Sequence, residues 1–158
     1  MKDVTFTIEV ISHILANGIG PNGETDAFQR DNKNALVFQQ SAFYSAFAQA
    51  IDLARVRGIK PADINMNLSV PAATEQYERR YQGDRYRWHE AIMPGTKVTF
   101  EAVVADHVTE SSLHLILERM GKYVGFSPYG HKLGYGKFSV IEVKVAPSEG
   151  PVSEPGNV

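Results

Sequence analysis

Hydrophobic and polar residues alternate in four segments of the chain, and this pattern predicts four β-strands that each bury one face. The segments begin near Val4, Ile64, Val98 and Phe138. Their apolar positions are Val4, Phe6, Ile8 and Val10 in the first, Ile64, Met66, Leu68 and Val70 in the second, Val98, Phe100, Ala102 and Val104 in the third, and Phe138, Val140, Ile141, Val143 and Val145 in the last.

Two segments with helical spacing separate these strands. The first predicted helix is capped by Ser41 and stops at Gly58, while the second is capped by Thr109 and stops at Gly121. Serine and threonine are favoured helix N-caps, and glycine commonly follows a helix end. The inward-facing positions are Phe43, Phe47, Ala50, Ile51 and Ala54 in the first helix, and Leu113, Ile116, Leu117 and Met120 in the second.

The order strand, helix, strand, strand, helix, strand is the split βαβ pattern of ferredoxin-like (RRM-like) domains. Right-handed crossovers then place both helices on one face of an antiparallel sheet and leave the other face open. We therefore expect a single ferredoxin-like α+β domain of βαββαβ type over residues 1–146, with an extra hairpin around residues 77–93. Residues 147–158 are rich in Pro, Gly, Ser and Glu and are expected to form a disordered tail.

Composition narrows the possible functions. The chain has 158 residues, 43% hydrophobic content and no cysteine, which excludes disulfides, thiolate zinc sites and cysteine nucleophiles. The first ten residues lack the features of a signal peptide, and no apolar run is long enough to span a bilayer, so we expect a cytoplasmic protein without a membrane partner. The net charge of −2 means that nucleic-acid binding requires a local basic patch.

One such patch is predicted between Arg119 and Lys137, a stretch without acidic residues. Basic side chains, stackable rings and glycines that allow close backbone approach are together suited to single-stranded nucleic acid. The alternative is a glycine hairpin with ordinary surface lysines. The candidate binding residues here are Arg119, Lys122, Tyr129, His131, Lys132, Gly134, Tyr135, Gly136 and Lys137.

A second candidate patch lies in the predicted hairpin. Its arginines can pair with phosphates in a bidentate manner, and its tyrosines can stack on bases. Acidic residues such as Glu78 and Asp84 dilute the charge, and the alternating pattern favours a core position for Trp88. The candidate binding residues here are Arg79, Arg80, Arg85 and Arg87.

Other chemistry receives less support. Glu24, Asp26 and Asp31 could offer oxygen ligands to a divalent cation, but a polar loop that caps its own turns is the favoured interpretation. The histidines have no zinc-type spacing, so no metal and no cofactor is expected. His13 remains a candidate general base for RNA cleavage, with a partly buried strand histidine as the alternative.

Several short motifs resemble the RAMP superfamily of CRISPR-associated RNA-binding proteins. The run Gly134-Tyr135-Gly136-Lys137-Phe138 resembles the glycine-rich loop and last strand of that family, and Pro94-Gly95-Thr96 is similar to the segment before its third strand. The resemblance implies a ferredoxin-like RNA-recognition scaffold. In that superfamily some members line a guide RNA as backbone subunits, some cut precursor RNA without metal, and some cut target RNA with a loop aspartate.

The leading functional hypothesis is a non-catalytic protein that binds single-stranded nucleic acid, RNA rather than DNA, through the open sheet face and the glycine-rich loop. One alternative is a metal-independent RNA endonuclease with His13 or His131 as base. Another is a protein-interaction or self-assembling module that ignores nucleic acid. The possible protein partners are effector-complex subunits or further copies of the chain, and a stand-alone viral relative is as consistent with the motifs as an effector subunit.

Overall fold

The computed structural model describes residues 1–81, 83–126 and 133–146. The tail predicted at 147–158 lies outside these residues. In chain order the elements are β1 (Lys2–Val10), β2 (Ile14–Leu15), β3 (Gly18–Ile19), β4 (Thr25–Ala27), β5 (Gln29–Arg30), β6 (Leu36–Val37), α1 (Gln40–Ala54), a 3₁₀ turn (Pro61–Asp63), β7 (Ile64–Asn67), β8 (Ser69–Val70), β9 (Glu75–Tyr81), β10 (Arg85–Ile92), β11 (Lys97–Val104), α2 (Glu110–Arg119), a π-helical turn (Met120–Val124) and β12 (Phe138–Val145).

The predicted strands contribute one antiparallel sheet in the order β12-β1-β11-β7. The second predicted strand, which extends to Val70, is divided: β7 joins this sheet, whereas β8 pairs with β6 in another sheet. Phe6 of β1 lies opposite Phe100 of β11, and their rings stack with centroids 5.2 Å apart. The alternation seen in the sequence is therefore the alternation between the buried and exposed faces of this sheet. A bulge in the pairing of β1 with β12 leaves Ile141 about half exposed on an otherwise apolar strand.

The two helices contact each other and pack against this sheet around one hydrophobic core. Phe43 and Phe47 of α1 and Leu113 and Leu117 of α2 are almost completely buried. Phe126, which follows the π-helical turn, joins the same core and lies 4.7 Å from the Phe38 ring. This mixed α/β architecture with antiparallel sheets and two helices agrees with the coarse prediction.

The described residues also contain more strands than a βαββαβ pattern, because the predicted loop after β1 pairs with other segments. β2 joins the β10–β9 hairpin, β3 pairs with β4, and β5, β6 and β8 form a small sheet. These strands are two or three residues long, apart from the hairpin. Strands this short are too brief to show a periodic pattern, and several of their partners lie far away in the sequence.

Two predicted features of α1 are wrong. The helix begins one residue before Ser41, with Gln39 as N-cap, because the amide of Phe43 already bonds to the Gln39 carbonyl. The helix ends at Ala54, and Arg55 itself takes the left-handed conformation, with φ of 55°, that is expected at Gly58. A glycine is not required to end the helix there.

The predicted cap of α2 is confirmed, since the Thr109 hydroxyl accepts a hydrogen bond from the Ser112 amide. Its predicted end at Gly121 is wrong, because the chain continues through the π-helical turn to Gly125, which has a φ of 82°. Gly121 serves a different purpose: a Cβ there would collide with the Phe138 carbonyl oxygen of β12. The glycine thus permits close contact between the turn and the sheet.

None of the described helices combines the length and the apolar character needed to cross a membrane.

Candidate nucleic-acid interface

β9 and β10 form the predicted hairpin, with Arg79 opposite Arg87 and Glu78 opposite Trp88. Because directly opposed residues share a face, the hairpin has two distinct surfaces. The first, called here the anchored face, carries Tyr77, Arg79, Arg87 and His89. The second, called here the displayed face, carries Glu78, Arg80, Tyr86 and Trp88, which are exposed, and Glu90 at the base of the hairpin, which is buried.

Glu90 fixes the base of the hairpin. This residue is buried, and its carboxylate forms an ion pair with Arg30. The same carboxylate accepts hydrogen bonds from the Phe28 amide at 2.8 Å and the Thr74 hydroxyl at 2.6 Å, while its backbone carbonyl accepts one from the Ala16 amide. A buried charge is tolerated only when it is paired and hydrogen-bonded, so these contacts hold separate segments in one arrangement.

The anchored face is held to the domain by polar contacts. Arg87 Nε donates to the Asp26 carboxylate at 2.5 Å, and Asp26 is buried in a left-handed conformation with a φ of 54°. His89 is fully buried, with Nδ1 2.8 Å from the Ala16 carbonyl. Arg79 Nε donates to His89 Nε2 at 3.1 Å. Since Nε2 accepts this bond, Nδ1 carries the proton and donates to the carbonyl.

Tyr77 connects the hairpin to two other parts of the chain. Its ring lies 4.0 Å from the His13 ring, and its hydroxyl is 3.4 Å from the Tyr135 hydroxyl. Tyr135 belongs to residues 133–137, called here the glycine segment. The two patches that the sequence suggests separately, one in the hairpin and one near the C-terminus, are therefore in direct contact.

Backbone hydrogen bonds hold the glycine segment in place. The Gly136 amide donates to the His13 carbonyl at 2.9 Å, and the Gly136 carbonyl accepts from the Phe126 amide at 2.7 Å. Gly136 is buried with a φ of 76°, a conformation that side chains rarely adopt. The sequence predicts that this glycine allows the backbone to approach a ligand closely. In the structure it allows close backbone contacts within the protein.

Burial controls the titration of two side chains in this region. Loss of solvation lowers the pKa of His13 below its usual 6.5, which favours the neutral imidazole. Burial, together with the hydrogen bond and charge interaction with Tyr77, raises the pKa of Tyr135 to about 12. The shift therefore favours neutral His13 near neutral pH, while Tyr135 keeps its proton into the strongly alkaline range.

The displayed face offers exposed rings and cations. Trp88 is 55% exposed and Tyr86 is 50% exposed, so the prediction that Trp88 is a core residue is wrong. The alternating pattern is present, but only the base of the hairpin reaches the core, and Trp88 lies beyond it. The Arg80 guanidinium lies 5.7 Å from the centre of the Tyr86 ring and pairs with Asp84 at 3.2 Å.

The structure places the predicted binding residues in different environments. Arg79 and Arg87 are engaged in contacts within the protein, whereas Arg80 and Arg85 are exposed on the hairpin. Lys122 is exposed on the π-helical turn, 5.4 Å from the Tyr123 ring. Arg119 forms an ion pair with Glu118 at 3.5 Å. Gly134 is exposed, and the backbone of Lys137 forms hydrogen bonds with residues 11 and 12. Tyr129, His131 and Lys132 lie outside the described residues.

Sequence reasoning missed the Tyr77 and Asp26 contacts. Both join residues that are far apart in the chain, and neither residue type is unusual in its segment. Tyr86 and Trp88 alternate with arginines in the sequence. This signal identifies an exposed aromatic pair only if the hairpin is expected to project beyond the core.

Glu24 and Asp31 cap their own turns, as the favoured interpretation expects, whereas Asp26 is buried and pairs with Arg87. The Glu24 carboxylate accepts a hydrogen bond from the Asn22 amide at 2.8 Å. The Asp31 carboxylate accepts from the amides of Lys33 and Ala35 at 2.9 Å each, and these bonds lower its pKa. Among the described residues, no group of three or more histidine or acidic side chains is placed to hold a metal ion.

The open face of the main sheet does not resemble a base-stacking platform. Thr7 and Thr99 bond to each other across it at 2.8 Å. Its side chains on the described strands β1, β7 and β11 include no aromatic ring. They are Asp3, Thr5, Thr7 and Glu9 on β1, Asn65 and Asn67 on β7, and Lys97, Thr99, Glu101 and Val103 on β11.

We predict that Glu90→Gln lowers the free energy of unfolding by about 3 kcal/mol, because it leaves the largely buried Arg30 cation without its partner. Urea denaturation measures this change. Glu142→Gln is the matched control, since Glu142 pairs with Lys144 at the exposed surface and its loss should cost less than about 1 kcal/mol. Equal effects of the two substitutions would contradict the structural importance of Glu90.

We also predict that stability falls as pH rises from 10 through about 12, because the folded state holds Tyr135 protonated while the unfolded state ionises at its usual 10. Tyr135→Phe removes this dependence, and Tyr123→Phe, at an exposed position, leaves it unchanged. Denaturation curves across the alkaline range test the difference. A pH dependence that is identical in all three proteins would show that Tyr135 does not contribute.

The fold is similar to that of a chain in the cryo-EM structure of Type III-B Cmr-beta bound to cognate target RNA. The TM-score is 0.55, with 13% sequence identity. The match covers 92% of this chain and 60% of the other, so this chain spans less than two thirds of that protein. No protein-family model matches the sequence, and no curated protein matches it. The likeness supports the predicted RAMP resemblance at the level of the fold.

Proposed function

We propose that this chain is a non-catalytic protein that binds single-stranded RNA and is a small relative of RAMP-type subunits. The observation that carries the proposal is the exposure of Trp88 and Tyr86 beside Arg80 on the displayed face of the hairpin. The contact between Tyr77 and Tyr135 brings the glycine segment, 58 residues away in sequence, to the opposite, anchored face of the hairpin. A strand that lies along the displayed face would meet exposed rings and a cation together.

The scaffold for this function is a ferredoxin-like βαββαβ core formed by β1, α1, β7, β11, α2 and β12. The sheet order β12-β1-β11-β7 with antiparallel neighbours supports this assignment. In this interpretation, the β9–β10 hairpin is an insertion between the second and third core strands. The short strands β2 to β6 are a further insertion between the first core strand and its helix.

The displayed face supplies the contacts to RNA. Trp88 and Tyr86 stack on unpaired bases, which interact with exposed aromatic rings without regard to sequence. Arg80, on the same face, contacts the adjacent phosphates. The glycine segment contacts the opposite face of the hairpin through Tyr77, and the acidic open face of the main sheet is not part of the binding surface.

The structural neighbour is consistent with this assignment, because it belongs to an assembly bound to target RNA. The choice of RNA over DNA rests on that neighbour and on the RAMP resemblance. Stacking and phosphate contacts alone would suit either strand type.

We expect salt-sensitive binding of labelled single-stranded RNA, measured by fluorescence anisotropy at two salt concentrations. Trp88→Ala should weaken binding roughly tenfold through lost stacking. Arg80→Ala should weaken binding and reduce its salt dependence. Lys97→Ala and Lys144→Ala on the main sheet are the matched controls and should change little.

Failure of the wild-type protein to bind single-stranded RNA at low salt would exclude the proposal. Equal losses in the hairpin variants and the main-sheet controls would mean that binding is not localised to the displayed face. Parallel titrations with DNA of the same sequence test the preference for RNA.

RNA cleavage is the second candidate function, and the lowered pKa of His13 favours it because a general base must be unprotonated. This function predicts that RNA is cut in the presence of a chelator by the wild-type protein and not by His13→Ala. RNA that stays intact, or cleavage that persists in His13→Ala, would remove His13 from any catalytic role.

A further inference from the structure

The outer edges of the main sheet are protected by side chains. At β7, the Tyr44 hydroxyl donates to the Ile64 carbonyl at 3.0 Å and accepts from the Met66 amide at 3.2 Å. At β12, the Glu110 carboxylate accepts from the Val145 amide at 3.2 Å, and a bulge interrupts the strand. Such devices prevent a sheet edge from pairing with another chain.

Among the described residues, no side chain bonds to the backbone of the edge strand β9 in the way seen on the main sheet. It is seven residues long and pairs with β10 along one side. Its other side has no neighbouring strand within the part of the chain that the structure describes. A regular edge of this length presents a row of backbone donors and acceptors to an incoming strand.

We propose that β9 pairs with β9 of a second copy of this chain, as antiparallel strands related by a two-fold axis at Arg79. This register places Glu78 of each copy opposite Arg80 of the other. Both side chains lie on the displayed face and are exposed. Opposite charges across an antiparallel pair stabilise it, and the symmetry supplies this pair twice.

Neighbouring registers are less favourable. A shift by two residues places either Glu78 opposite Glu78 or Arg80 opposite Arg80, and like charges in these positions repel. A shift by one residue would place the displayed faces of the two copies on opposite sides of the joined sheet. The proposed register also places Arg79 opposite Arg79 on the anchored face, which is one like-charged pair against two Glu78–Arg80 pairs; the registers shifted by two residues have a like-charged pair and no Glu–Arg pair.

Arg80 can make the additional contact. Its guanidinium donates to the Gly83 carbonyl at 2.6 Å and to Asp84 at 3.2 Å, and a guanidinium has further donors for a second carboxylate. The pairing would form one continuous sheet in the order β10-β9-β9-β10. Because the two-fold axis is perpendicular to that sheet, Trp88 and Tyr86 of both copies would lie on the same side.

The test is sedimentation velocity of the protein without nucleic acid over a wide concentration range. Glu78→Arg and Arg80→Glu should each raise the dimer dissociation constant at least roughly tenfold. An equimolar mixture of the two variants should restore dimers, because the arginine introduced at position 78 of one chain would then face the glutamate introduced at position 80 of the other. Glu142→Arg, a charge reversal on β12, is the control and should leave the dimer intact.

A wild-type protein that stays monomeric throughout the range would overturn the proposal. So would a dimer that both reversals leave unchanged, or a mixture that fails to reassociate. If a reversal prevents folding, Glu78→Gln and Arg80→Gln provide milder variants with the same expected direction. The measurement excludes RNA, and Glu78 has no part in the proposed RNA contacts, so this result is independent of the RNA-binding assay.

Discussion

The buried carboxylate of Glu90 is the constraint on which the functional surface depends. It binds Arg30, Thr74 and the Phe28 amide at the base of the hairpin. An ionised group in this position is acceptable only in the complete set of contacts, which makes the arrangement of these segments cooperative. The position and direction of the projecting strands therefore follow from this polar cluster together with the burial of Ala91 and Ile92 at the end of β10.

Beyond this base, the hairpin has one face that contacts the domain and one face that is open to other contacts. Arg87 and His89 hold one face against the loop that carries Asp26 and Ala16. The aromatic side chains on the opposite face would otherwise be expected to turn inward and bury their apolar area. Because the anchored face is the one that contacts the domain, Trp88 and Tyr86 on the other face remain exposed.

The main sheet can be predicted from the sequence, whereas the functional surface cannot. The difference is that the sheet is encoded by local patterns, while the surface depends on contacts between residues far apart in the chain. Alternating segments such as Val4 to Val10, and the Thr109 cap, are local signals, and both are present in the structure. Several strands before α1 depend on partners distant in sequence, and so does the contact of Tyr77 with Tyr135. No local pattern encodes such a pairing. Composition could suggest basic and aromatic patches, but not that two of them meet.

Trp88 is the only tryptophan in the chain, and it lies on the exposed hairpin rather than in the core. Its emission therefore reports the environment of a single surface position and is largely blind to the packing of the helices on the sheet. Whatever covers the displayed face becomes directly visible to intrinsic fluorescence without any label. Conversely, a spectroscopic unfolding curve taken from this residue would follow the release of the hairpin, which need not coincide with the loss of the core.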